Sequence, residues 1–444
     1  MNLAYLMGVL VVSIALIVFL IMKVKLNAFV ALTISALFLG IAAQMPIDKV
    51  AASFQAGMGS TLGFLATVLG LGTILGKMLE VSGGAQRLAT TLVKAIGEKR
   101  AHWAMMIVAF ICGIPVFFQV GFVLLLPVIF SVAKQAKMSL VKVGVPVIAA
   151  LITVHSIVPP HPAALAITNT LGADIGLTIM LGLLVGLPAA IIAGPIYGSW
   201  VAKHAVANPP EALNVGETRP ENELPKFGIT LFTILLPVLI MVTKTIIEVF
   251  SAADAPYRPF VTFIGDPITA LLISALVAYW TLGLARGMTM KTIGTLTEEC
   301  FKPVASILLI IGAGGAFNKV LQDSGIGTAL GDVLTGMALS PVILAWIVSL
   351  VMRFAVGSTT VAMVTAAGII APLMAAYPDT NPAIFCLAIG AGGIGLSHVN
   401  DSGFWVVKEF YGMELTDTFK TWTASTTIAS VVALLGTLLV DLVI

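Results

Sequence analysis

GLGTILGKMLEVSGG, residues 70–84, returns 242 positions later as GAGGAFNKVLQDSGI, residues 312–326. Six of the fifteen positions coincide: Gly70 with Gly312, Gly72 with Gly314, Lys77 with Lys319, Leu79 with Leu321, Ser82 with Ser324 and Gly83 with Gly325. A recurrence of this length implies two related halves, and the composition says where they sit. Of 444 residues, 59% are hydrophobic and 10% charged, with a mean hydropathy of +1.08. Soluble domains do not reach such values, so the chain reads as an all-α polytopic membrane protein. Residues 3–22 (LAYLMGVLVVSIALIVFLIM) are long enough to cross a hydrocarbon core, and similar segments follow to the C-terminus. With no basic leader and no small-residue cleavage site, the first segment reads as a retained span. A net charge of +2 gives no reason to expect nucleic acid. Cys112, Cys300 and Cys386 lack metal or redox spacing and read as buried structural thiols.

Basic residues set the expected topology. They gather at 23–25, 87–100, 134–142, 203–226 and 286–302, which the positive-inside rule makes cytoplasmic. Loops near 45–58, 169–176, 251–266, 321–341 and 376–382 are poorer in Lys and Arg and should face outward, placing both termini in the periplasm. The apolar block 103–133 has Arg100 before it and Lys134 after it, so both ends belong on one side. It is too long for one span and too short for two, which suits a re-entrant hairpin with its tip at IPVFFQVG, 114–121. Residues 342–375 read as a second hairpin of opposite polarity, with its tip near GSTTVA, 357–362. Each half then has five crossings and one hairpin, and an odd number of crossings inverts the second half against the first. The expected units are a first repeat, 1–202, a cytoplasmic linker, 203–226, and a second repeat, 227–444.

Chemistry is expected where the repeats break. In TVHSIVPPHPAA, 153–164, the prolines cannot continue a helix. The counterpart is GGIGLSHVNDSGFW, 392–405, where Gly392, Gly393 and Gly395 should permit the break. Ionisable groups at membrane depth carry a functional expectation, although His398 and Asp401 pairing with each other and with free backbone groups to hold the break is the competing reading. Candidate substrate ligands are Gln119, His155, Ser156, His161, Gly357, Ser358, Thr359, Thr360, Ser397, Asn400, Asp401 and Ser402. Asp401 is the first candidate for proton coupling and His398 the second. Arg353 is either a countercharge for a substrate carboxylate or the partner of a nearby acid. Phe117 and Phe118 read as packing, and Lys77 with Glu80 and Lys319 with Asp323 as ion pairs at helix ends. Ser397, His398 and Asp401 are too close in sequence for triad geometry and no nucleophile elbow accompanies them, so an enzyme is not expected. His155 and His161 lack further ligands at familiar metal spacings, so neither metal nor cofactor is expected.

STLGFLATVLGLGTILGKMLEVSGGAQRLATTL, FFQVGFVLLLP, VHSIVPPHPAAL, LGADIG, IIGAGGAFNKVL, VGSTTVAMVTAAG and SHVNDSGFW together resemble the gluconate permease family of proton symporters, within the wider ion-transporter superfamily. The likeness runs over essentially the whole chain. It implies a bacterial inner-membrane importer, coupled to protons, for gluconate or a similar sugar acid. It also implies a homodimer working by an elevator motion, with membrane lipids around it. The family includes D-serine transporters, and VHSIVPPHPAAL looks closer to that branch while SHVNDSGFW is similar to the gluconate branch. Gln119 stands where gluconate members usually carry an acid in an FFEVG-like pattern. A sugar acid and D-serine therefore both remain open as substrates, with a channel as the distant alternative.

Overall fold

The computed structural model describes residues 3–116, 118–208, 219–252, 254–326, 340–398 and 401–444. Among these, all regular structure is helical, and eight helices are long and apolar enough to cross a bilayer. The first half runs α1 (Leu3–Met22), α2 (Ala28–Ala42), α3 (Ile47–Ser82), α4 (Gly84–Ile96), α5 (Ala101–Gly113), α6 (Phe118–Gln135), α7 (Leu140–Ile157), α8 (Pro162–Thr170) and α9 (Ile175–Val201). The second runs α10 (Phe227–Phe250), α11 (Arg258–Gly265), α12 (Pro267–Arg286), α13 (Met290–Asp323), α14 (Pro341–Val356), α15 (Thr359–Ala376), α16 (Pro382–Ile394), α17 (Ser402–Tyr411) and α18 (Leu415–Asp441). Many starts are capped by short polar side chains. Asn27, Ser139, Asp174, Asp266, Thr289 and Asn381 each accept from a backbone N–H in the first turn, satisfying a donor that has no partner within the helix.

The halves keep the same register. α13 begins 243 residues after α3, α14 240 after α5, α15 241 after α6, α16 242 after α7, and α17 and α18 240 after α8 and α9. α3 and α13 pack most extensively on each other, and in each half the first arm of the 101–135 or 341–376 helical pair lies against the helix that precedes the break, α5 on α7 and α14 on α16. The second arms cross over: α15 packs on α8 and α6 on α17, so each half supplies a wall for the other's break. The expected ion pairs are present, Lys77 with Glu80 at 3.0 Å and Lys319 with Asp323 at 2.8 Å, and Ser53 donates to Asp323 at 2.7 Å.

Three expectations are corrected. Residues 45–58 are not a loop, because α3 starts at Ile47 behind Pro46 with Asp48 favourably placed in its first turn. Residues 251–266 contain α11, whose Arg258 donates to the Glu248 carbonyl at 2.8 Å and ties the turn to α10. Gly392 and Gly393 lie inside α16 rather than opening it. Their lack of a side chain admits α14 and α15, since a Cβ on Gly392 would stand 2.4 Å from the Trp346 carbonyl oxygen and one on Gly393 2.5 Å from Met363 Cγ. Gly395 alone sits at the break, as the C-cap of α16.

The 203–226 segment is docked rather than loose where it is described. Glu221 pairs with Lys94 at 2.8 Å and Arg87 at 3.4 Å on α4, and Gln86 exchanges two hydrogen bonds with the Arg219 backbone.

Candidate functional site

Two helix breaks and two hairpin turns meet around one small cavity of about 130 Å³. α7 stops at Ile157, because Pro159 and Pro160 have no N–H to give, and α8 restarts with Pro162 at its first position. Ile152 and His155, on the last turns of α7, line the cavity. Phe118 and Gln119, on the first turn of α6, line it from the first hairpin.

The second hairpin turns at Gly357, which adopts φ +78°, a left-handed conformation that a side chain would strain. Its N–H bonds the Arg353 carbonyl at 3.0 Å, closing α14. Ser358 then caps α15 by accepting from the Val361 N–H at 3.4 Å, and Ser358, Thr359 and Thr360 all reach the cavity. The first turn of α15 therefore presents hydroxyls together with the positive end of a helix dipole. Ile310 of α13, Asp401 and Gly403 at the second break, and Trp422 of α18 complete the lining.

Asp401 organises its side of the cavity. It is 6% exposed, caps α17 by accepting from the Gly403 N–H at 2.9 Å, and accepts on its other oxygen from Arg353 Nη2 at 2.5 Å and from the Ser397 hydroxyl. Ser397 is held by the Trp422 indole N–H, which donates to its Oγ at 2.6 Å, and by the Thr423 hydroxyl on its carbonyl at 2.5 Å. Arg353 is only 1% exposed, and its Nε and Nη1 find no hydrogen-bond acceptor among the described residues. The competing reading holds in part: the Asp401 carboxylate pairs with Arg353, 48 positions away, and not with the His398 ring, but backbone groups do join it, since it accepts from the Gly403 N–H and the Asp401 N–H donates to the His398 carbonyl at 2.9 Å.

Of the expected site residues, Gln119, His155, Ser358, Thr359, Thr360 and Asp401 share the cavity. Ser397 acts behind them, through Asp401. Gly357 contributes the turn. Ser156 is turned into its own helix, donating to the Ile152 carbonyl at 3.0 Å. His161 is buried behind His155, with ring centroids 4.0 Å apart. His398 lies off the cavity, stacked on Phe354 at 4.6 Å with Nε2 3.0 Å from the Phe354 carbonyl oxygen. Ser402 opens α17, and Asn400 lies outside the described residues. Ile152, Ile310, Gly403 and Trp422 were not foreseen. Phe118 was expected to pack, and it does both: it meets Trp422 at 5.0 Å and faces the cavity.

Asp401, several hydroxyls, a carboxamide and an imidazole line the cavity, and the Arg353 cation is paired to Asp401 outside that lining, an arrangement suited to binding a polar solute. Its size suits a small solute, since pockets for drug-sized ligands run to roughly 300–1,000 Å³.

Comparison with known proteins agrees with that chemistry. Residues 5–443 match the model of the GntP family permease. The chain is 46% identical to a gluconate permease of Pseudomonas aeruginosa over 99% of its own length and 98% of that protein's. It is 47% identical to the D-serine transporter DsdX of Escherichia coli K12, over 99% of both. Its fold is similar to that of the YdaH transporter of Alcanivorax borkumensis, with a TM-score of 0.65 at 15% identity over 93% of this chain and 97% of that one. The chain belongs to the GntP permease family, and is a multi-pass secondary transporter of a small polar solute rather than an enzyme.

Proposed function

We propose that this permease imports gluconate or a related sugar acid together with protons across the bacterial inner membrane. The observation that carries the reading is the cavity itself. Ser358, Thr359 and Thr360 face Gln119 across it, a set of donors and acceptors suited to a polyhydroxylated solute, while the Arg353–Asp401 pair supplies the charges that a carboxylate and a proton require. The two hairpin turns clasp the solute, His155 and Asn400 contact it, and Asp401 carries the proton.

The common register of the halves supports an inverted repeat of five crossings and one re-entrant hairpin each, with breaks 158–161 and 395–401 at the midplane. Irregular backbone at that depth is tolerable only against protein or a polar cavity, and the cavity lined by His155 and Asp401 supports the placement. In this arrangement both termini are periplasmic, and the protein is a homodimer that carries its site across the membrane by an elevator motion.

A second reading is D-serine:proton symport, favoured by the 47% identity to DsdX and by the modest cavity. Both solutes bear a carboxylate and at least one hydroxyl. Purified protein in liposomes with an inward proton gradient decides between them. Uphill uptake of labelled gluconate, competed by other sugar acids and not by D-serine, is expected. Competition by D-serine alone would select the second reading, and unsaturable flux without accumulation would mean a channel.

A further inference from the structure

Arg353 stands out among the buried groups. Its guanidinium has five N–H donors, yet Asp401 takes only Nη2, and Nε and Nη1 have no acceptor among the described residues. Leaving charged donors unsatisfied at 1% exposure is costly, and each two-donor edge of the planar fork, Nε with Nη2 and Nη1 with Nη2, has only its shared Nη2 engaged, which leaves a half-filled edge suited to a second carboxylate. The half-filled edge belongs to a residue whose partner, Asp401, lines the cavity, and Arg353 sits one helical turn before the Ser358–Thr360 tip.

Charge balance gives this edge a consequence. Arg353 and Asp401 sum to zero, so adding an anionic solute leaves one uncompensated negative charge in a buried site. Protonation of Asp401 restores neutrality. It also frees Nη2, the donor common to both edges, so that the arriving carboxylate can bind Nη2 together with Nε or Nη1. We propose that Arg353 is the residue that takes the solute's carboxylate, and that Asp401 yields it by accepting the co-transported proton. This deepens the proton-coupled reading above and rests on it.

The other titratable groups nearby are His155, which lines the same cavity, His161 behind it, and His398 on Phe354. On the packed elements α17 and α18, Lys408 pairs with Glu409 and Lys420 with Asp417, so neither lysine competes for Asp401. Ser397, itself held by the Trp422 indole N–H, donates to the same Asp401 oxygen that Arg353 engages.

The test is calorimetric titration of the purified permease with gluconate and with D-serine, in buffers of differing ionisation enthalpy, alongside liposome uptake. Wild type should take up about one proton per bound anion. Asp401→Asn should still bind and exchange the solute, with no proton taken up and no accumulation driven by a pH gradient. Arg353→Gln should lose affinity by at least ~100-fold, the scale for removing one member of a desolvated charge pair. Because that variant strands a buried carboxylate, the double variant Arg353→Gln/Asp401→Asn, which removes both charges, serves as the folded control and should bind neither solute. Gluconate or D-serine binding by the double variant within about threefold of wild type would overturn the inference, a ratio well inside one decade of affinity. So would proton uptake that persists in Asp401→Asn. If wild type itself binds and transports without protons, the coupled reading and this inference fall together; if wild type is coupled and only the variants disagree, the inference falls alone.

Discussion

The two breaks occupy matching places in the two halves and are made in different ways. At 158–161 the helix is interrupted by backbone chemistry: two prolines withhold their N–H groups, the hydroxyls of Thr153 and Ser156 bond back into their own helix, and His155 and His161 meet as tilted rings. At 395–401 the helix is interrupted and then held open by side chains, through Arg353, Asp401, Ser397 and Trp422. A proline break needs no partner and keeps its shape whatever its neighbours do. A break held by charges depends on the protonation and the partners of those charges. The difference teaches that a duplicated architecture can assign rigidity to one half and responsiveness to the other.

Removing the central charge should have the largest effect. Arg353→Ala leaves the Asp401 carboxylate buried without its partner, at a cost of roughly 3–5 kcal/mol, read as a fall in melting temperature in detergent and loss of uptake. Retained stability would mean that the second break is as self-sufficient as the first. Gly392→Ala comes next. A helix-interior alanine normally stabilises by about 0.8–1.0 kcal/mol relative to glycine. Here its methyl would meet the Trp346 carbonyl oxygen at 2.4 Å, and overpacking costs ~1–3 kcal/mol, so net destabilisation is expected. The position 242 residues earlier is already Ala150, buried without such a conflict, which sharpens the contrast between the halves.

Trp422→Phe keeps an aromatic ring but loses the pyrrole portion of the indole and with it the donor to Ser397; the lost hydrogen bond should cost ~1 kcal/mol, with a further cost for the space left at this buried site, and uptake should slow. At the first break, His155→Gln should raise KM while moving the melting temperature less than Trp422→Phe does, because the Nδ1 of His155 has no hydrogen-bond partner among the described residues to lose. Glu221→Gln, remote from both breaks, should do least. The Lys94 ammonium, and then Arg87, hold the Glu221 carboxyl below the usual carboxylate range. Its docking contribution is thus fully present above the ordinary carboxylate pKa and is lost as pH falls through the lowered one. The variant should flatten that part of the acid limb in a pH series of melting curves, and an unchanged limb would show that the linker does not depend on this contact.

Much of the architecture was legible because it is written locally. Prolines at 159–160 announce a break wherever they stand in a span, the length of the apolar block 103–133 announces two short helices, found as α5 and α6, and the 70–84 recurrence aligns the halves. The hydroxyl tip was equally readable, since Ser358, Thr359 and Thr360 are consecutive. What escaped is what distance hides. Trp422 lies 25 residues beyond Ser397 on another helix, and an indole in a membrane span gives no sign that its N–H serves a buried serine. Arg353 was left between two roles because its partner is 48 positions away. Gly392 and Gly393 were misplaced because a glycine that admits a neighbouring helix and one that ends its own helix look the same in one dimension.

The lengths of α3 and α13 bear on the lipid as well as on the fold. With 36 and 34 residues they extend about 54 and 51 Å at 1.5 Å per residue, against a hydrocarbon core about 30 Å thick. The excess has to be taken up as tilt or as protrusion, and the polar starts at Asp48–Lys49 and from Lys291 to Lys302 are where protrusion costs least. Packed on each other along much of that length, the two helices make a mismatch that neighbouring lipids feel as a single body. Turnover should therefore vary with the acyl-chain length of the lipids in which the permease is reconstituted.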